Sequence, residues 1–274
     1  MSNPNQWAMM QEFFTGLERK IHENRDVIET RLKKFAEMME NAALAFNEAA
    51  KVQAELYPKL RDSTGPLAKR GWFVSGNFGM SEIMELARQC GSVSDAELDS
   101  IVAEMYRNSV DELGASLLQD YPERAFAIKP ALDAHNRGEH ALSVPIFFSQ
   151  AEGICFTALK KYIFTNGKSS GGIDENIKFT AKERLEGMKK PDDDSNPYAA
   201  LSMFMEIMWL PFAEPLPIGY GQKDRRIHNY EGLNRNTLMH GLDLEYATEE
   251  NSLKAFSMLS HIGALMHNLS DTSV

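Results

Sequence analysis

Alternating runs of β-branched residues, from which sheets are built, are missing from this chain, so an all-helical fold is expected. Cysteine is nearly missing as well. Cys90 and Cys155 lie too far apart for a metal-binding or redox dipeptide, and such isolated thiols behave as small hydrophobes, so both are expected buried and free. Met1 to Gln11 contain no basic stretch followed by an apolar run, so no secretory signal is read there. No uninterrupted apolar segment reaches the ~18–20 residues of a membrane span, the nearest being the broken run 198–212. A cytoplasmic protein with no membrane partner is expected. Positive charge is scarce too: 29 Lys and Arg stand against 39 Asp and Glu, a net charge of -10. Broad coating of nucleic acid depends on cations that neutralise phosphates, so any RNA site must be a small basic cleft on an acidic body. Clusters of His, Cys, Asp and Glu at ligand spacing are absent from the sequence pattern, so neither metal nor cofactor is expected. There is no fixed-period repeat.

What the chain has in quantity is helical spacing. From Gln6 to Leu60, apolar residues recur at three- and four-residue steps, and this reads as one or two long helices ending near Tyr57-Pro58. A cluster of glycines with Pro66 over Asp62 to Gly79 marks a linker. Helices resume over Met80 to Gln89 and Asp95 to Tyr121, the second capped by Ser94 or Ser92. Further helices are expected over Phe126 to Asn136, over Leu142 to Phe164 as the central buried helix, and over Ile173 to Lys189. The next starts at Pro197 and breaks at Pro211 and Pro215. The resulting architecture is an all-α multi-helix bundle. It divides into long N-terminal helices (1–61), a linker and helical connector (62–123) and a C-terminal helical domain (124–270).

The last seventy residues hold the informative segment, Tyr230-Glu-Gly-Leu-Asn-Arg235-Asn236-Thr-Leu-Met-His240-Gly241. Leu233, Thr237 and Leu238 give a short helix its apolar stripe, and Gly241 is a natural residue to end it. Thr248, with Glu249 and Glu250, caps the final helix. Five steps of about 100° put Arg235 and His240 roughly 140° apart, so one copy of the helix makes a poor site. Two copies facing across a dyad would serve better, which predicts a homodimer.

Arg235-Asn236-x-x-x-His240 resembles the signature of HEPN domains. The likeness covers about Phe126 to Met266 and includes Ala151-Glu152-Gly153, matching a segment on the helix that precedes the motif in similar bacterial proteins. The resemblance implies a metal-independent endoribonuclease of antiviral defence or toxin-antitoxin control, with an antitoxin or defence-system protein as partner. RNA is cut when its 2′-OH attacks the adjacent phosphate. A histidine can take that proton or return one to the leaving oxygen, and a guanidinium can grip the developing charge at two points. His240 and Arg235 fill these roles. Asn236 is expected to bond the phosphate or orient His240, and Glu152 to hold Arg235 or His240. Lys223, Arg225 and Arg226, in a basic segment before the motif, are expected to supply further phosphate contacts.

Two other readings compete. Arg235 can pair with a helix-terminal carboxylate while His240 caps the helix, or the chain can be a non-catalytic dimerisation or sensing module that binds a protein or RNA. His135, His140, His261 and His267 are read as surface or satisfied histidines. Gly167-Lys168-Ser169 lacks the first glycine and the strand of a phosphate loop.

Overall fold

The computed structural model describes residues 10–16, 33–34, 55–164, 171–188 and 199–271. The pattern of contacts divides the chain into two compact units, Met1–Glu55 and Leu56–Val274. In the first, residues 10–16 and 33–34 are helical. The remainder of the expected N-terminal helices, the Gly167-Lys168-Ser169 segment and the helix start at Pro197 lie outside the described residues.

The second unit is built of helices joined by turns and irregular segments, with no strand among its described residues. Its elements are α1 (residues 55–69), α2 (Met80–Gln89), α3 (Asp95–Asp120), α4 (Ala125–Asn136), α5 (His140–Leu159), α6 (Glu175–Met188), α7 (Ala199–Ala213), α8 (Gln222–Ile227), α9 (Arg235–Met239) and α10 (Glu249–Asp271). Ser94 caps α3 by accepting from Glu97 N while the Glu97 carboxylate returns to Ser94 N, a reciprocal capping box.

Several expectations need correction. The helix expected to stop at Tyr57-Pro58 continues through Pro58 and Pro66 to residue 69. The expected linker is largely core. Trp72, Phe73, Val74 and Ser75 are all buried, and the segment rests on α10, with Ser257 Oγ accepting from Phe73 N at 3.2 Å and Ser260 bonded to Ser75 at 2.7 Å. Its glycines permit close approach: a Cβ on Gly76 would lie 2.9 Å from Ala264 Cβ. Residues 62–123 therefore belong to the same compact unit as the motif. Finally, Pro211 lies inside α7 and does not end it.

The central helix is α10 rather than α5. Residues 252–253 and 255–266 of α10 are buried, and the helix packs most extensively on α5 and then on α3. Its apolar signal is diluted by Ser252, Ser257, Ser260 and His261, and each of these has a buried partner. By length and composition α5 is apolar enough to cross a membrane. Its buried face, from Val144 through Phe147, Phe148, Ala151 and Ile154, packs in the core, while Leu142 and Phe156 are exposed. Pro145 removes the donor that would have met the Ala141 carbonyl. Tyr246 takes up that carbonyl with its hydroxyl at 3.0 Å, tying the segment after the motif to α5. The helix stops at Lys160, in the left-handed region at φ 56°, short of the expected Phe164.

Candidate functional site

The motif occupies α9, a helix of five residues, and both ends have definite chemistry. At its start stands Asn234, fully buried and absent from the expected site residues. Its Oδ1 accepts from Thr237 N at 3.0 Å, capping the helix. Its amide nitrogen donates to the carbonyls of Pro217 and Tyr220, both at 3.0 Å. Asn236 repeats the device, donating to the Gly219 carbonyl at 2.8 Å and to that of Tyr220 at 3.3 Å. Two asparagines thus nail α9 to segment 217–220. That segment is itself held against Gly172, where the backbones touch so closely that a Cβ on Gly219 would lie 2.0 Å from the Gly172 oxygen. An Asn three residues before Thr237 is a visible capping signal. The second role of its amide depends on a segment fourteen to seventeen residues upstream.

Arg235 is the first residue of α9 and is only partly exposed, with a side-chain accessibility of 25%. Its Nη2 donates to Glu152 Oε2 at 2.7 Å and its Nη1 to Asn236 Oδ1 at 3.1 Å. The guanidinium lies over the Phe164 ring, 5.3 Å from its centroid. Of five guanidinium N–H donors, these bonds engage two, and the other three have no hydrogen-bond partner among the described residues. Glu152 sits in mid-helix on α5 with 14% accessibility, so the pair is largely withdrawn from solvent and fixed in geometry. It differs from the helix-terminal carboxylate of the competing reading. Each residue of Ala151-Glu152-Gly153 has a distinct place: Ala151 is buried in the core, Glu152 holds Arg235, and Gly153 admits Arg124 across the helix. A Cβ on Gly153 would lie 2.6 Å from Arg124 Nη1, and Arg124 Nη2 donates to the Gly153 carbonyl at 2.8 Å.

The other end of α9 is different. Gly241 N donates to Leu238 O at 2.9 Å and Leu242 N to Thr237 O at 2.8 Å, a Schellman closure that requires the positive φ of 68° at Gly241. His240 is the C-cap and is exposed. Among the described residues its imidazole forms no hydrogen bond or ion pair with Arg235, Asn236 or Glu152. Arg235, Asn236 and Glu152 are therefore brought together, and His240 is not brought to them within one chain. The expectation that Asn236 orients His240 is corrected: its amide is committed to segment 217–220 and to Arg235.

Two clefts border α9. One, of about 260 Å³, is lined by Glu152, Phe156, Tyr162, Arg235 and Met239 among others. The second, of about 360 Å³, is lined by Arg225, Arg226, Tyr230, Thr237 and Leu242 among others. The basic segment forms helix α8. Lys223 and Arg226 are exposed, and Arg225, which lines the second cleft, donates to the Tyr230 carbonyl at 3.2 Å.

Three buried titratable residues, His261, His135 and Cys155, are structural in their surroundings. His261 is fully buried, with Nδ1 2.7 Å from the Val74 carbonyl and Nε2 2.9 Å from that of Met208. Burial outweighs both carbonyls and pulls its pKa down to about 4. His135 is buried beside Ser252, and burial followed by the neighbouring His140 lowers its pKa as well. Burial and then the Glu152 charge push the Cys155 thiol up to about 12, so it is no nucleophile. No group of three or more His, Cys, Asp or Glu side chains placed to hold a metal occurs among the described residues. Compared with known proteins, the chain matches no family model, no curated protein and no solved structure.

Proposed function

We propose that this protein is a metal-independent endoribonuclease of the HEPN kind, in which Arg235 grips the scissile phosphate and His240 moves the proton. The observation that carries the reading is the treatment of Arg235: a guanidinium oriented by Glu152 and Asn236, backed by an aromatic face, with three donors left over beside a cleft. A purely structural ion pair has no need of such a setting at the edge of an open cleft. A group that must meet charge as it develops gains from being fixed beforehand. His240 stands exposed at the far end of the same short helix, in reach of an incoming strand.

The reaction follows from these two groups. Attack of the RNA 2′-OH on the adjacent phosphorus forms a 2′,3′-cyclic phosphate and releases the 5′-oxygen. Arg235 donates two hydrogen bonds to the non-bridging oxygens as their charge grows. His240 takes the 2′-OH proton or returns one to the leaving oxygen. Because Arg235 and His240 diverge around α9, the complete centre is formed by a homodimer in which His240 of one protomer faces Arg235 of its partner across a two-fold axis. Met239, Leu242 and Leu244 are exposed beside His240, and burying them would help hold such a pair. Lys223, Arg225 and Arg226 then contact phosphates away from the cut. An antitoxin or defence-system protein is the partner class that fits a nuclease needing restraint.

Purified protein incubated with single-stranded RNA in EDTA tests the reading. Products ending in 2′,3′-cyclic phosphate are expected, and a 2′-deoxy residue at the cut site should block the reaction. Cleavage that EDTA abolishes and magnesium restores would contradict it. The same exposed apolar residues also favour a second reading, a non-catalytic dimerisation or sensing module. A dimer that binds RNA or a protein without ever cutting RNA would establish that alternative.

A further inference from the structure

Phe156 and Tyr162 stand out in the cleft beside Arg235. Their rings are stacked, with centroids 4.6 Å apart and planes 25° from parallel, yet they are 37% and 46% exposed. Core aromatics elsewhere in this unit, such as Trp72, Phe147 and Phe164, are at most 1% exposed. The chain bends sharply to produce the pair. Lys160, between them, adopts φ 56° and ψ 30°, a left-handed conformation that residues with a Cβ disfavour and where glycine or asparagine is the usual occupant. The bend brings Tyr162 back onto the Phe156 ring and sets the Lys160 ammonium 6.0 Å from the Phe156 centroid. A lysine kept in a strained position beside a solvent-facing aromatic stack is costly for stability alone, and its charge suits an anionic ligand.

We infer that this cleft is a base-stacking subsite that takes one unpaired nucleobase of single-stranded RNA. The base lies against the Phe156–Tyr162 pair, and its adjoining phosphate meets Arg235 and the Lys160 ammonium, which otherwise donates to the Thr157 carbonyl at 3.0 Å and keeps further donors. Aromatic faces serve any base and so give affinity without strict sequence choice. A duplex keeps its bases stacked inside, so the subsite selects loops and single strands. The inference rests on the nuclease reading only in placing a phosphate at Arg235.

The test uses a short single-stranded RNA made uncleavable by 2′-O-methyl groups, with binding to the full chain followed by fluorescence anisotropy. Wild-type protein should bind it at least tenfold more tightly than a hairpin of the same composition. An abasic nucleotide walked along the strand should weaken binding about tenfold at one position. Phe156→Ala with Tyr162→Ala should remove that position dependence, while Lys160→Asn, which suits the left-handed turn, should weaken binding without lowering the melting temperature. Several outcomes would overturn the subsite: equal binding of hairpin and single strand, no abasic position that matters, or no RNA binding at all. So would a double variant that turns a dimer into monomers while still binding RNA, since the aromatic pair would then be a protein interface. If unmodified RNA is not cut although the binding pattern is as stated, the nuclease reading falls and the subsite stands. If RNA is cut with KM unchanged in the double variant, the subsite falls and the nuclease stands.

Discussion

The two ends of α9 are built on opposite principles. The Asn234–Asn236 end is anchored by four amide-to-carbonyl hydrogen bonds into segment 217–220, an N-cap, and an ion pair to α5. The His240 end has a backbone closure at Gly241 and an imidazole left in solvent. The contrast teaches that the fold fixes the Arg235 guanidinium through neighbouring side chains and leaves the His240 imidazole exposed; under the proposed reading, that difference is what substrate and a second protomer would have to complete.

The most severe break of this contrast is at the histidine. His240→Ala should reduce RNA cleavage by roughly a thousandfold, the scale expected when a proton-transfer group is removed, while leaving stability within about 0.5 kcal/mol because the side chain is exposed. Single-turnover cleavage and urea unfolding on the same preparation check both halves.

At the anchored end the effect should fall on the fold. Asn234→Ala removes the cap of α9 and leaves the Pro217 carbonyl without its partner in the buried interior, which should cost about 3 kcal/mol. Chemical denaturation should show this as a lower midpoint with an unchanged slope. Activity should be lost in proportion to unfolded protein and return under stabilising conditions.

Acid should act on the fold through the buried histidines. The folded-state pKa of His261 lies below its unfolded value, so its contribution is present above about 6.5 and lost as pH falls toward about 4. His135 shifts in the same direction. Unfolding free energy should drop by about 2 kcal/mol between pH 7 and pH 5 from His261. Urea unfolding midpoints measured across that range check it, and a stability that does not fall between pH 7 and pH 5 would contradict the burial of His261 as a neutral imidazole.

The smallest effect sharpens the comparison within the anchored end. Glu152→Gln keeps an acceptor but removes the charge that fixes Arg235, so cleavage should fall about tenfold with little change in KM, as expected when orientation rather than binding is disturbed. Glu152→Ala should fall further. If both variants cleave like wild type, Glu152 has no part in positioning Arg235 for reaction.

These contrasts also mark what the sequence exposed and what it hid. Helical periodicity and the absence of alternating runs were sufficient for the all-α class, and local chemistry placed α3, α4, α9 and α10 within a few residues, because Ser94, Gly138, Gly241 and Thr248 act on their immediate neighbours. Pro58 and Pro211 misled, since each lies inside a helix that continues through it, whereas the helix expected to pass Pro145 does so. Pro145 leaves a carbonyl that Tyr246 collects, and such a partner a hundred residues away has no local signature. The glycines of 65–79 read as a linker because glycine is equally the residue of close backbone approach. At the site, Arg235, Asn236, Glu152 and His240 were all visible as residue types. The geometry that divides them depends on segment 217–220 and on α5, which meet α9 only in the folded chain.

The most direct test of the account compares cleavage with thermal melting for wild type, Arg235→Lys and His240→Ala, all in EDTA. The account predicts that wild type cuts single-stranded RNA to 2′,3′-cyclic phosphate ends. Both variants should melt close to wild type and fail to cut, because an ammonium lacks the planar two-point grip of the guanidinium. Near wild-type cleavage by Arg235→Lys, or a His240→Ala protein that melts well below wild type, would contradict it.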